Sequence, residues 1–167
     1  MPIPDEDNEQ RLYARCGEAL CWTQMFEQEI LNGLLLHAVA RKTVPSLAEA
    51  EDLLYRRDKQ PLRHRLNEIF QRVRPEPDLL PTFYEALEKR NFLVHRFFWD
   101  RMELSFTREG REQLIVEVGA LAELFRRAYR FMKALTDLYA KQAGVTDAMI
   151  LQEVKRMLPD GLRKNAL

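Results

Sequence analysis

A single periodicity dominates this sequence: apolar residues recur at spacings of three and four along almost its whole length. That spacing places them on one face of an α-helix. No hairpin turn signal and no convincing period-two strand accompanies it. The pattern therefore predicts an all-α fold, an antiparallel bundle of five to six helices. The two longest stripes run through Leu12, Cys16, Ala19, Thr23, Phe26, Ile30, Leu34 and His37, and through Leu114, Val118, Leu121, Phe125, Ala128, Met132, Leu135 and Tyr139.

Capping residues and prolines set the expected ends of the helices. Side chains that accept a hydrogen bond from the first helical turn favour an N-terminus, and proline or glycine favours a stop. We expect a single domain over residues 1–160 and a flexible tail over 161–167. The predicted helices span about 6–41, 46–57, 61–73, 78–100, 107–142 and 146–158, with Ser46, Asp78, Thr107 and Thr146 as N-caps and Gly144 closing the fifth helix.

Charge and hydropathy restrict the classes of partner. The 167 residues include 26 basic and 26 acidic ones, so the formal net charge is zero. A nucleic-acid site must therefore be a local patch. The longest nearly apolar run, 30–40, is half of the roughly 20 residues that a membrane span needs. The first residues are acidic, unlike a secretory signal. We expect a cytoplasmic protein with no membrane association.

The two cysteines, Cys16 and Cys21, lie on the same predicted helix. Five residues separate them by ~7.5 Å along the helix axis, so they cannot bridge each other without breaking it. We interpret them as small reduced core residues, with an intermolecular bridge as the alternative. Neither they nor His37 and His64 have a metal-ligand spacing, and no glycine-rich phosphate loop is present. We expect no metal and no cofactor.

Polar residues of types that take part in catalysis concentrate on the predicted fourth helix. Asn91 occupies a position that continues the apolar stripe, and His95 follows about one turn later on the same face. Arg90 lies ~140° from His95, but its long side chain can reach back. The sequence predicts that these three side chains border one groove among aromatic residues. The predicted apolar stripe consists of Leu80, Tyr84, Leu87, Val94 and Phe98.

The segment Arg90-Asn-Phe-Leu-Val-His95 resembles the R-x4-6-H motif of the HEPN superfamily, all-α domains that include many metal-independent ribonucleases. The asparagine after the arginine is similar to the toxin subunits of HEPN and minimal-nucleotidyltransferase pairs. The resemblance implies a homodimer that cleaves RNA with Arg90 and His95, and an antitoxin or nucleotidyltransferase partner. In that branch a tyrosine two residues after the histidine can be modified by the partner. Phe97 stands at that position here and lacks the hydroxyl.

The chemistry of RNA cleavage suits these residue types. The 2′-hydroxyl of RNA is the nucleophile, so an enzyme needs a group that moves protons near neutral pH and a cation for the phosphate. His95 fits the first role and Arg90 the second. Asn91 would orient the imidazole or hydrogen-bond the phosphate. Since one chain supplies one such histidine, a two-fold dimer would supply both an acid and a base.

Local positive charge for an RNA substrate occurs in two segments. Residues 56–74 contain seven basic and two acidic side chains. The second segment holds Arg126, Arg127, Arg130 and Lys133. Our candidate substrate contacts are Arg63, Arg65 and Arg96, and the alternative is a solvated face that acidic neighbours offset.

Two functions are consistent with the sequence. The first is a metal-independent endoribonuclease of HEPN type, a toxin or defence effector, with Arg90, Asn91 and His95 in the active site. The second is a catalytically silent helical dimer that acts as an interaction or scaffold module. In the second case the three side chains form a hydrogen-bonded polar network within the core.

Overall fold

A computed structural model of the chain describes residues 6–41, 49, 52, 55–56, 59–72, 75–146 and 148–149. Within those ranges every regular element is helical, which confirms the all-α prediction. No helix in the described ranges is long and apolar enough to cross a membrane. The elements are α1 (Glu6–Ala40), α2 (Leu62–Arg72), a 3-10 turn (Pro77–Leu79), α3 (Leu80–His95), α4 (Phe97–Asp100), α5 (Met102–Ser105) and α6 (Arg108–Gln142).

Three sequence predictions fall largely outside the described residues. The expected second helix, 46–57, is described only at 49, 52 and 55–56, which are helical. The expected last helix is described only at 146 and 148–149, where Thr146 Oγ1 accepts a hydrogen bond from the Met149 backbone at 3.3 Å. The expected tail, 161–167, lies wholly outside.

The two long helices, α1 and α6, form the centre of the fold. Each has 35 residues and is therefore about 52 Å long. Near their beginnings Asn8 Nδ2 donates to Glu112 Oε1 at 3.4 Å. Near their ends the rings of His37 and Tyr139 meet edge to face, with centroids 5.2 Å apart. These contacts show that α1 and α6 run in the same direction, so the chain between them must return.

Helix α3 provides the return. The rings of Phe83 and Phe131 lie 6.3 Å apart, and beyond the end of α3 Arg101 Nε donates to Glu117 Oε2 at 3.0 Å. Phe83, near the start of α3, thus meets the later residue Phe131 of α6, whereas Arg101, after the end of α3, meets the earlier residue Glu117. Helix α3 is therefore antiparallel to α6, as expected for bundle neighbours. Helix α2 packs on α1 where Gly33 has no side chain, since a Cβ there would lie 2.5 Å from Ile69 Cδ1.

One continuous core joins these helices. The core includes most of the two predicted long stripes, and its largest fully buried side chains are mainly aromatic or branched. Burying a Phe, Leu or Ile side chain contributes about 1.5–3 kcal/mol, so this set dominates the stability of the fold. Its largest members are Phe26, Phe83, Phe97, Phe125, Leu12, Ile30, Leu66, Ile69, Leu114, Met132 and Val118.

The buried face of α3 is not the predicted one. Val94 and Phe98 are each 44% exposed, and Asn91 is exposed as well. Arg90, which is half-buried, lies on the face that points inward. The prediction that an amide interrupts the core stripe was wrong, because the arginine before it takes that position. The residues that α3 and α4 bury are Phe83, Ala86, Leu87, Leu93 and Phe97.

The predicted fourth helix, 78–100, is also divided. Arg96 and Arg101, with φ of −132° and −124°, separate α3, α4 and α5. Asp78 is not an N-cap, because it lies inside the 3-10 turn and α3 begins without a side-chain cap. The predicted start of the long helix is confirmed, since Thr107 Oγ1 accepts from the Gly110 backbone at 3.0 Å. Gly144, with φ of +71°, lies just beyond the end of α6 as predicted.

The cysteines differ in their surroundings. Both are free thiols, as predicted, but only Cys16 is buried, whereas Cys21 is exposed and the prediction of a core position was wrong for it. Burial raises the pKa of the Cys16 thiol to about 11. The thiolate is the reactive form, so Cys16 is both covered and protonated at neutral pH.

We therefore expect iodoacetamide to modify the native protein once, at Cys21. Peptide mass spectrometry of samples treated at neutral pH, with and without denaturant, measures this directly. Cys16 should react only in denaturant. Rapid modification of Cys16 in the native protein would contradict the described packing of α1 against its neighbours.

Candidate functional site

The side chain of Arg90 joins α3 to α1. Its Nε donates to Glu27 Oε1 at 2.7 Å, and its Nη1 donates to Asn91 Oδ1 at 3.1 Å. The Arg90 and Glu27 side chains are 26% and 21% exposed, so the ion pair is mostly shielded from solvent. Shielding strengthens such a pair, and its two bonds fix the guanidinium in place.

Glu27 has a second cationic neighbour. Arg65 Nη2 of α2 lies 3.9 Å from Glu27 Oε2, and the Arg65 side chain is only 5% exposed. The prediction that Arg65 contacts a substrate at the surface was wrong, because this residue packs inside the bundle. One carboxylate thus faces two guanidinium groups, and the cluster of Arg65, Glu27, Arg90 and Asn91 keeps a net positive charge. We call it the arginine–glutamate cluster.

Sequence reasoning did not find Glu27. It stands next to Phe26 on the edge of the α1 stripe, one of several carboxylates on that helix, and 63 residues separate it from Arg90. Nothing in the local pattern distinguishes it from a solvated glutamate. Only the packing of α3 across α1 brings the carboxylate to Arg90.

His95 is the last residue of α3 and is exposed. Its side chain makes no hydrogen bond or ion pair with any residue that the structure describes. It lies about 140° round the helix from Arg90 and about one turn beyond Asn91. The structure therefore brings Arg90 and Asn91 together and leaves the His95 imidazole open to solvent at the end of the same helix.

The other two predicted substrate contacts are at the surface. Arg63 is exposed, and its guanidinium lies over the Tyr84 ring, 5.7 Å from the centroid. The Arg96 side chain is 70% exposed and pairs with Asp100 at 3.3 Å. An exposed ion pair of this kind contributes at most about 1 kcal/mol, so a phosphate could displace Asp100.

The first basic segment, 56–74, is partly neutralised by one acidic residue just before it and one within it. Arg56 Nη2 lies 2.7 Å from Asp52 Oδ2, and Arg72 Nη1 lies 2.5 Å from Glu68 Oε1. Both pairs have the helical i,i+4 spacing. The described part of 56–74 therefore offers less free positive charge than the sequence count suggests.

Exposed apolar side chains concentrate around His95. Trp99 and Phe106 are 77% and 76% exposed, and Val94, Phe98 and Met102 are exposed by nearly half. We call residues 94–106 the apolar segment. Large exposed apolar surfaces on proteins usually mark a contact with another molecule.

The remaining histidines do not form a second site. His37 is half-buried against Tyr139, and burial together with the charges of Arg72 and Arg41 lowers its pKa. His64 is exposed on α2. No group of three potential metal ligands occurs among the residues that the structure describes.

Comparisons of the chain with models of protein families, with curated proteins and with solved structures find no match. A functional assignment therefore depends on the chemistry of the residues around Arg90 and His95.

Proposed function

We propose that this protein is a metal-independent endoribonuclease of HEPN type that acts as a homodimer. The observation that carries the proposal is the exposed imidazole of His95, which has no side-chain partner among the described residues. It lies about one turn beyond the Asn91 amide, on the same helix as the Arg90 guanidinium that Glu27 and Asn91 hold in place. The segment Arg90–His95 is the part of the chain that resembles the HEPN superfamily, and the exposure of His95 makes the imidazole available to a substrate.

His95 would move the proton in this reaction. The 2′-hydroxyl of a ribose attacks the adjacent phosphorus as its proton passes to a base. The bond to the 5′-oxygen then breaks as an acid protonates that oxygen. The products are a 2′,3′-cyclic phosphate and a 5′-hydroxyl. An imidazole performs either transfer because its ordinary pKa lies near neutral pH.

Arg90 would stabilise the negative charge of the pentavalent phosphate. Its Nε and Nη1 atoms are committed to Glu27 and Asn91, but its Nη2 atom makes no hydrogen bond to a described residue. A guanidinium that is already held in position loses little side-chain entropy when it binds phosphate. Arg65 places a second guanidinium 3.9 Å from the Glu27 carboxylate.

Two copies of the chain would complete the active site. One imidazole serves as base or as acid, and in-line cleavage is fastest when both are present. In our proposal the apolar segment forms the contact between two copies. This contact would cover Trp99 and Phe106 and place two His95 side chains near each other. Burial of such aromatic side chains is typical of protein interfaces.

The biological setting rests on the motif alone. A toxin or defence role, with an antitoxin or nucleotidyltransferase partner, is what the resemblance of residues 90–95 implies. Since Phe97 is buried and carries no hydroxyl, modification at that position is not part of the proposal.

The test is cleavage of RNA by the purified protein in EDTA. The matched control substrate has the same sequence with a 2′-O-methyl group on every ribose, which removes the nucleophile. We expect cleavage of the first RNA only, cyclic phosphate ends, and a specific activity that falls on dilution as dimers dissociate. Equal cleavage of both substrates, or no cleavage by the folded dimer, would overturn the proposal.

The ion pair itself favours a second candidate, a catalytically silent interaction module. The bond between Arg90 and Glu27 connects α1 to α3 and so gives the arginine a structural role. The apolar segment would then bind a partner without any reaction. Full folding and dimerisation with no activity on any RNA would select this candidate.

A further inference from the structure

A groove of about 680 Å³ lies between α3 and α6, on the side of α3 away from the arginine–glutamate cluster. Lys89 and Phe92 of α3 and Arg127, Arg130 and Phe131 of α6 line it. The sequence showed the arginines of α6 as a basic cluster, but not that a lysine of α3 faces them. The antiparallel packing of α3 on α6 creates this arrangement.

The groove retains free positive charge. Among its carboxylates, Glu123 lies 2.6 Å from Arg126, and Glu117 binds Arg101 through both of its oxygens. Those two carboxylates are therefore occupied. The side chains of Lys89, Arg127 and Arg130 are exposed and make no ion pair or hydrogen bond with a residue that the structure describes. Of the lining carboxylates, only Glu85 remains to oppose them.

We infer that this groove binds the phosphate backbone of a single-stranded RNA. The inference rests on the proposed ribonuclease function and names the surface that holds the substrate outside the reacting site. Three cations along two facing helices provide the electrostatic attraction. Phe92 and Phe131 line the groove as half-buried aromatic side chains, a residue type common in surfaces that bind single strands, and the Arg101 guanidinium lies over the Phe92 ring, 5.4 Å from its centroid.

The position of the groove agrees with this assignment. On α3 the residues Glu85, Lys89 and Phe92 form one row, and Arg96, whose backbone N–H donates to the Phe92 carbonyl oxygen at 2.9 Å, caps the helix just beyond that row. Arg96 is exposed, and it directly follows His95. A strand that lies along the row would therefore leave the groove at Arg96 and reach the exposed imidazole about one turn beyond Phe92. This gives the predicted contact at Arg96 a structural context.

Binding of an uncleavable RNA tests the inference. The probe is a fluorescent oligonucleotide of about 12 residues, 2′-O-methylated throughout, within the size range of single-strand sites. Fluorescence anisotropy in EDTA gives its affinity at a series of salt concentrations. The variant combines Lys89→Gln, Arg127→Gln and Arg130→Gln. The matched control removes the same charge outside the groove by Arg11→Gln, Arg15→Gln and Lys141→Gln, and circular dichroism checks that both variants fold.

Loss of three phosphate contacts should lower the slope of log K against log salt by about 2, since each contact on a single strand contributes about 0.7. The affinity near physiological salt should fall by about tenfold to a hundredfold. The control should retain the affinity and slope of the original protein. Equal losses in both variants would overturn the inference. Binding of polyglutamate as tight as that of the RNA would also overturn it, because the groove would then recognise acidic chains in general.

The binding experiment gives its result whether or not the protein cleaves RNA. If the protein cleaves RNA but the groove variant binds the probe normally, the groove inference fails and the proposed function stands. If no RNA is cleaved but probe binding depends on Lys89, Arg127 and Arg130, the proposed function fails and the groove remains an RNA-binding surface.

Discussion

His95→Ala is expected to lower the rate of RNA cleavage by about 100-fold to 10,000-fold, the range that a positioned acid or base contributes. The same substitution should leave the thermal unfolding midpoint nearly unchanged. His95 is exposed at the end of α3 and has no side-chain partner among the described residues, so its removal exposes no core and breaks no network. Loss of activity without loss of stability separates a chemical role from a structural one.

His64→Ala is the matched control, because His64 is also an exposed histidine within a helix. Initial rates on one RNA, measured in EDTA across pH 5–9, compare the two variants with the original protein. His64→Ala should keep the rate and its pH profile. In the His95→Ala variant the initial rate should fall and lose the part of its pH profile that an imidazole contributes. Added free imidazole should restore part of the rate. A His95→Ala protein as active as the control would eliminate the proposed mechanism.

The sequence predicted best where a single pattern extends over many turns. The stripes of α1 and α6 extend through most of two helices of 35 residues each, and both helices begin and end within one or two residues of the expected positions. Agreement over so many turns excludes other periods. The cap at Thr107 adds a specific hydrogen bond to the pattern.

The pattern failed between residues 92 and 99 because almost every position there is apolar. Periodicity cannot choose a buried face when Leu93, Val94, Phe97 and Phe98 all qualify. The structure buries Leu93 and Phe97 and exposes the other two. That choice places Arg90, rather than Asn91, toward the interior, where it can bind Glu27.

The sequence also could not predict which charged residues pair with partners far away along the chain. An arginine in a basic run has the same local signature whether it is solvated or buried. Arg63 and Arg65 are two residues apart, yet one stacks on Tyr84 at the surface and the other lies beside Glu27 inside the bundle. The α3–α6 groove is missed for the same reason, since Lys89 meets Arg127 and Arg130 only through packing.

Gly110→Ala is expected to destabilise the protein by about 1–3 kcal/mol, as overpacking of a tight site usually does. Gly110 lies in the first turn of α6, directly against α5. A Cβ at this position would stand 2.1 Å from the carbonyl oxygen of Leu104 and 2.8 Å from its Cα. The obstacle is backbone, so no side-chain rotation relieves it. The first turn of α6 or the whole of α5 must move, which also disturbs the bond from Gly110 to Thr107.

Gly119→Ala in the same helix provides the control and should have the opposite sign. No heavy atom lies within 4 Å of a Cβ built at Gly119, so alanine there meets open space. Replacing glycine by alanine in a helix interior should stabilise the fold by about 0.5–1 kcal/mol. Urea unfolding followed by circular dichroism measures both free energies of unfolding. Substitution of two glycines that the sequence pattern does not distinguish would thus change the free energy of unfolding in opposite directions. A Gly110→Ala protein as stable as Gly119→Ala would show that α5 does not pack against α6 as described.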